Sequence, residues 1–372
     1  MTGRHRKIVG GRKVPDKVDV LIAGAGPAGL AAALELSLNN VSVVIVDSRK
    51  KIGYPLRCGE ITSKTYFHLM GVKPHPTWIR QRLKQTPGII ILNRELSELG
   101  MAKIAAKRGA FVVPGTSVVG VGEFDGERRR VTLASKLGIR KVHAKCVMAA
   151  DGVSSSVSRF VGINTYLSPQ RVVSSLAYRI VDTDLKYPEK VHIEHLPKPF
   201  PAFPYYFWII PNGKGKANVG LYVPSIDGPK TRPLLDQMLS SSDAIYGGRI
   251  IKTVVGLISD SRPLVKPYSD GFLVLGAAAR LIEPFSGGGI GPSMLSGKAA
   301  AKVFIETNGA STDEDQLKKY GRQIRFITKH LNDEWDRRRQ IESNYRRGLP
   351  VRITTGRKWV QDFSSSIMGV AP

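Results

Sequence analysis

The chain is short of cysteine, of long apolar runs and of acidic residues, and each shortage excludes something. Its two cysteines, Cys58 and Cys146, are too few for a disulfide framework and fit a reducing compartment. No uninterrupted apolar stretch approaches the roughly 18 residues that a spanning helix needs. Met1 to Lys17 is basic and contains glycine, without the apolar core of a secretory signal. A cytoplasmic protein, soluble or peripheral to a membrane, is therefore expected. The seven histidines show no metal-ligand spacing. No Gly-x-Ser-x-Gly elbow accompanies His143 and Asp151, so they are not a nucleophile system.

The acid shortage leaves 56 Lys and Arg against 30 Asp and Glu, a net charge of +26. Part of the excess is localised. Arg4, Arg6, Lys7, Arg12, Lys13 and Lys17 face only Asp16, and Lys318 to Lys358 carries 13 basic residues against four acids. That second run includes Arg337-Arg338-Arg339 and Arg346-Arg347. Such fields attract polyanions, among them anionic lipid surfaces, nucleic acids and phosphorylated substrates; solvated helix faces look the same. No zinc knuckle, RNA-recognition signature or basic zipper supports nucleic acid as a partner. Trp335 and Trp359 lie among the basic residues, as either interfacial anchors or helix-bundle caps.

What is present begins with Val20-Leu-Ile-Ala-Gly24-Ala-Gly26-Pro27-Ala28-Gly29, followed one helix-length later by Val43-Val-Ile-Val46-Asp47. An apolar strand, a GxGxxG turn, an Ala/Leu-rich helix and a second strand ending in an acid form the βαβ dinucleotide fingerprint. Gly24 allows the tight turn, Gly26 the close approach of a pyrophosphate, and Gly29 the packing of helix on strand. The helix N-terminus faces the phosphates, and Asp47 is placed to accept from the adenosine ribose. NAD and FAD both fit this unit. Cys146 sits inside a buried strand and reads as core.

Two further strand-to-helix turns carry chemistry. Val142–Ala149 runs into Asp151-Gly152 and a Ser-rich helix start, which places a carboxylate and backbone donors at a sheet's carboxyl edge; a helix cap has the same pattern. Gly271–Leu275 leads into Gly276-Ala277-Ala278-Ala279-Arg280 and then Glu283-Pro-Phe-Ser-Gly287-Gly288-Gly289-Ile290-Gly291 before a helix. This close-approach surface with a positive helix terminus suits an electron-rich ring edge; a packing turn is the simpler alternative. Helices are expected over Leu92–Arg108, Gly291–Ile305 and Thr312–Arg347, a hairpin at Asp125-Gly126, and a loop over 49–75.

These three elements, in this order, resemble the FAD-dependent reductases and monooxygenases of the glutathione-reductase-like superfamily. Two stretches narrow the likeness to the geranylgeranyl reductase family, archaeal digeranylgeranylglycerophospholipid reductases in particular. Gly53-Tyr54-Pro55-Leu56-Arg57-Cys58-Gly59-Glu60 resembles the family's Pro-x-x-Cys-Gly-Glu loop beside the flavin. Tyr206-Phe-Trp208-Ile-Ile-Pro211, followed by Ala217-Asn218-Val219-Gly220, is similar to its Tyr-x-Trp-x-Phe-Pro signature and next strand. The chain departs at Ala277, where the superfamily has Asp, and at Ile61, where the family often has Gly. Loss of one hydrogen bond to FAD at Ala277 costs about 1–3 kcal/mol.

The resemblance implies an α/β fold: an FAD-binding Rossmann-like domain from 18–165 and 260–310, and an antiparallel-sheet substrate domain inserted over 166–259. A flexible basic arm covers 1–17 and a basic helical region 311–372. FAD is the implied cofactor, held by Gly24, Gly26, Pro27, Ala28, Gly29, Asp47, Arg57, Cys58, Gly59, Asp151, Gly152, Gly276, Ala277, Gly287, Gly288, Gly289 and Ile290. Cys58, with Arg57 as the neighbouring cation that lowers a thiol's pKa, and the same-face pair Tyr206 and Trp208 are the implied catalytic residues. The implied partners are an isoprenoid lipid, an anionic membrane surface and an electron donor, either a ferredoxin-like protein or NAD(P)H. A different FAD oxidoreductase, such as an aromatic hydroxylase, and a non-catalytic flavin- or lipid-binding descendant are the alternatives.

Overall fold

The structure, a computed structural model, describes residues 14–55, 57–84, 87–196, 205–307, 309 and 312–347. Most of the basic arm, Leu56, Trp359 and the end of the basic C-terminal run lie outside the described residues.

The βαβ unit forms as its pattern demands. β1 (Lys17–Ala23) and β2 (Val43–Asp47) are parallel neighbours joined by α1 (Pro27–Leu38). Val20, Leu21, Ile22 and all five residues of β2 are buried, each large aliphatic side chain contributing about 1.5–3 kcal/mol. Pro27 opens α1 where its missing N–H costs nothing. Next come β3 (Ile61–Ser63), α2 (Lys64–Leu69), β4 (Ile79–Arg82) and β5 (Ile89–Leu92), with the three strands in a small antiparallel sheet of order β3-β5-β4. The loop expected over 49–75 is thus too long. β3 and α2 have only three and six residues, too short for periodicity to register.

α3 (Arg94–Lys107) starts at Asn93, whose side chain accepts from the Leu96 N–H. β6 (Phe111–Pro114), β7 (Thr116–Phe124), β8 (Arg129–Ser135) and β9 (Gly138–Ala149) follow, then the short α4 (Ser156–Arg159). β7 and β8 are a hairpin whose turn is closed by Asp125 accepting from the Glu127 and Arg128 N–H groups. β10 (Val172–Leu185), β11 (His192–His195), β12 (Tyr206–Pro211), β13 (Lys216–Pro224), α5 (Thr231–Ser241) and β14 (Ile245–Ser259) build a second, antiparallel sheet of order β11-β12-β13-β10-β14. The chain then returns to the first sheet through β15 (Tyr268–Ser269) and β16 (Phe272–Val274), which gives the order β15-β16-β9-β1-β2-β6 with β8 and β7 beside β9.

α6 (Ile290–Glu306) packs on α1 so closely that a Cβ at Gly297 would lie 2.1 Å from the Ala28 carbonyl oxygen. α7 (Glu314–Gln323) and α8 (Arg325–Arg346) complete the described chain. Leu317, Tyr320, Ile324, Ile327 and Leu331 belong to the main core, and the Tyr320 hydroxyl donates to the Val274 carbonyl.

The basic run on α8 is less available than its sequence implies. Arg338 is 2% exposed, paired with Asp260 at 2.5 and 3.0 Å and with Glu342 at 2.8 Å. Arg339 pairs with Asp336 and Arg337 with Glu334. Trp335 is buried beneath the Arg338 guanidinium, 4.7 Å from the ring centroid. It caps packing and is not an interfacial anchor. Among the described residues, no helix is long and apolar enough to cross a membrane.

Candidate active site

A cavity of about 1330 Å³ opens between the two large sheets. All the residues expected to form the site line it, except Gly29 and Gly276, which stand behind its wall.

The nucleotide side is made by backbone. Gly24 has φ +113°, and a Cβ there would lie 2.3 Å from the Ala150 carbonyl oxygen. At Gly29 a Cβ would lie 1.9 Å from the Gly24 oxygen, whereas at Gly26 nothing of the protein lies within 4 Å. The first and third glycines therefore bring protein against protein, and the second leaves space at the N-terminus of α1 for a ligand. Gly288, Gly289 and Ile290 line the cavity where α6 begins.

Asp47 lines the cavity with its carboxylate already engaged. Oδ2 accepts from the Ala25 N–H and Arg49 Nη2, both at 2.8 Å; Oδ1 accepts from the Arg49 N–H at 2.8 Å and Nε at 2.9 Å. A carboxylate has about four acceptor sites, and here all four bonds go to Ala25 and Arg49. Asp47 fixes the glycine turn to the end of β2, and Arg49 lines the cavity beside it.

Asp151 caps the short turn into α4, Oδ2 accepting from the Val157 N–H at 3.0 Å and the Ser156 hydroxyl at 3.3 Å. Its Oδ1 is buried with no hydrogen-bond partner among the described residues. Burial raises its carboxyl pKa, against these hydrogen bonds.

The opposite side is aromatic. Tyr206 and Trp208 share one face of β12, ring centroids 5.9 Å apart, and Tyr206 stacks on Tyr222 at 5.2 Å. The indole lies across Gly220, where a Cβ would sit 2.5 Å from the ring. The Tyr206 hydroxyl donates to the Ser286 carbonyl at 2.8 Å, so its proton is engaged, and burial raises its pKa. Tyr206 thereby ties the second sheet to the glycine-rich loop before α6.

Between the two sides stands the Cys58 loop. Cys58 is half-buried, and its Sγ accepts from the Glu60 N–H at 3.2 Å. The cation beside it is not Arg57, which is exposed, but Arg94 at the start of α3. Burial works against the Arg94 charge, yet the nearby Glu98 carboxylate and Cys58 sulfur outweigh it and raise the pKa. Ion pairs run from the nucleotide end to this point: Asp47 to Arg49, Arg49 to Glu98, and Glu98 to Arg94. Glu60 is fully buried at φ +68° and lies 2.6 Å from Arg179 and 3.6 Å from Arg80. Cys146 is fully buried in β9, as expected of core.

Sequence reasoning passed over Arg94 and Arg179, and took Asn218 only as part of a matching strand. Arg179 and Asn218 did carry a signal, each being a strongly polar residue inside an apolar stretch, Leu176–Val181 and Ala217–Val223. Arg94 carried none, because an arginine at a helix start is ordinary.

Residues 17–72 match a family model described as an FAD binding domain. A digeranylgeranylglycerophospholipid reductase of Methanosphaerula palustris is 32% identical over 310 residues, covering 77% of this chain and 76% of that protein. One from Thermoplasma volcanium is 31% identical over 85% of each chain. The chain belongs to the digeranylgeranylglycerophospholipid reductase family. Among solved structures, a geranylgeranyl bacteriochlorophyll reductase-like protein of Thermoplasma acidophilum is similar at TM-score 0.81 and 27% identity, covering 88% of each chain.

This member of the reductase family is an FAD-dependent oxidoreductase, and its residues fit the cofactor. Gly26 leaves open space at the start of α1 that suits a phosphate group, the unpartnered Asp151 Oδ1 suits a ligand hydroxyl, and Ala277 lines the same cavity.

Proposed function

We propose that this protein saturates isolated carbon–carbon double bonds in the geranylgeranyl chains of an isoprenoid glycerophospholipid, adding one hydride and one proton per bond. The observation that carries this reading is the juxtaposition, around one cavity, of an FAD cradle, a half-buried thiol and a stacked aromatic wall. An isolated trisubstituted alkene has no carbonyl to withdraw electrons. Protonation of one carbon must therefore accompany hydride arrival at the other, with tertiary cationic character between them. Bound and reduced, FAD supplies the hydride.

The chain's residues do the rest. Tyr206, Trp208 and Tyr222 exclude water and offer π faces to developing positive charge. Cys58, or a water held at its Sγ, delivers the proton. The anionic headgroup and its membrane are drawn by the net charge of +26, which supports a peripheral position at the cytoplasmic face. Liposome binding then weakens as salt rises. The sequence holds one GxGxxG, so the electron donor binds transiently, as a ferredoxin-like protein or NAD(P)H.

The test is anaerobic. The FAD-loaded protein is bleached with dithionite, excess reductant is removed, and a digeranylgeranylglycerophospholipid is added. Return of the oxidised flavin bands with a lipid mass gain of two hydrogens per bond supports the reading; neither change overturns it. Cys58→Ser and Cys58→Ala should each lower pre-reduced turnover by about 10²-fold or more. Full turnover in both removes Cys58 as the acid.

A further inference from the structure

Asn218 lies in the middle of β13 and is 1% exposed. Its Oδ1 accepts from Trp208 Nε1 at 3.2 Å, and its Nδ2 donates to the Cys58 carbonyl oxygen at 3.3 Å. In the sheet Asn218 is paired with Arg179, so the two side chains leave the same face. Arg179 Nη2 donates to that same Cys58 oxygen at 3.4 Å and lies 2.6 Å from the Glu60 carboxylate. A buried amide and a buried guanidinium are destabilising without their partners. Both take partners here from one short loop, that of Cys58. Glu60 is held at positive φ within that loop, a conformation that persists only where the surroundings determine it.

We propose that Asn218 and Arg179 are positioning residues: they clamp the Cys58 loop to the second sheet and, through Trp208 Nε1, give the thiol and the aromatic wall one fixed relative placement. The consequence for turnover rests on the reading of Cys58 and Trp208 given above; the clamp itself does not. A reacting pair is sensitive to such placement, since a shift of about 1 Å can cost about 10²-fold in rate.

The chain is well suited to a direct test, because Cys146 is fully buried and Cys58 is the only other thiol. Iodoacetamide labelling of the full-length protein, followed by mass spectrometry, reads the Cys58 rate, and continued protection of Cys146 reports an intact fold. Asn218→Leu should speed Cys58 alkylation about tenfold. Trp208→Phe keeps an aromatic ring and removes the N–H; it should speed alkylation less. Because both variants break the same bridge, the double variant should match Asn218→Leu alone. A Cys58 rate within about twofold of the parent, or fully multiplicative effects in the double variant, overturns the clamp. Should Asn218→Leu expose Cys146, Trp208→Phe decides, and an unchanged Cys58 rate there overturns it. In turnover, Asn218→Leu should lower kcat with little change in KM. Faster alkylation with unaltered kcat supports the clamp and instead removes Cys58 from the reaction.

Discussion

The glycine side of the cavity is shaped by missing atoms, the aromatic side by side chains that meet from strands far apart in the chain. Gly24, Gly26 and Gly29 lie within six residues and set the cradle through backbone contacts alone. The other wall needs Cys58 and Glu60 from a loop, Arg94 from α3, Arg179 from β10, Trp208 from β12 and Asn218 from β13. The first design is local and intolerant of added atoms. The second is distributed, and depends on every polar group finding its partner.

Added bulk should break the first side most severely. Gly29→Val places atoms where the Gly24 oxygen lies 1.9 Å from a Cβ, and helix and strand must separate. The expected loss exceeds about 4 kcal/mol, seen in denaturant melts as absence of a cooperative transition. A normal melt would mean that the turn yields more readily than its geometry suggests. On the second side the damage comes from unpairing. Glu60→Gln leaves Arg179 buried beside a neutral amide, at a cost of about 3 kcal/mol. The folded remainder should still take up FAD, because the glycine turn is unchanged; weaker retention would show that the Cys58 loop also holds the cofactor.

The same contrast explains what was legible beforehand. The βαβ unit, α3, the β7–β8 hairpin and α6 follow from short-range patterns, and their boundaries fall within a few residues of expectation. β3 and α2 were too short to stand out. The cation beside Cys58 is illegible in the sequence because the nearest one along the chain is Arg57, whereas the fold brings Arg94 there from 36 positions away. Asp47 shows the converse: its position was readable, but not that Arg49 and Ala25 would fill its acceptor sites.

Smaller changes sharpen the comparison. Gly26→Ala meets no protein atom within 4 Å and has an ordinary φ of −87°, so the FAD-free Tm should stay within about 2 °C of the parent. Flavin affinity should nevertheless fall at least about tenfold, since the methyl enters the pyrophosphate's space. A large drop in apo Tm would show that this glycine too serves packing. Ala277→Asp restores the missing acid on the cavity wall and should tighten FAD by about tenfold, measured as flavin retained after gel filtration.

Asp151 is the residue where the two designs mix, a side chain working on the nucleotide side. Burial raises its carboxyl pKa in the fold, so folding favours its protonated form. That stability is fully present below the unfolded carboxylate value, about 3.9, and is lost as pH rises through the higher folded value. Asp151→Asn removes the titration while an amide oxygen can still accept the Val157 N–H. The FAD-free variant should therefore melt higher than the parent at pH 8, on the order of 2 °C, with the gain vanishing below about pH 4. FAD affinity should move the other way, because the unpartnered Oδ1 is an acceptor that the amide nitrogen cannot replace. Opposite signs in the two measurements mark Asp151 as a ligand-directed group. A loss in both would return it to a simple helix cap, leaving the cradle a matter of backbone alone.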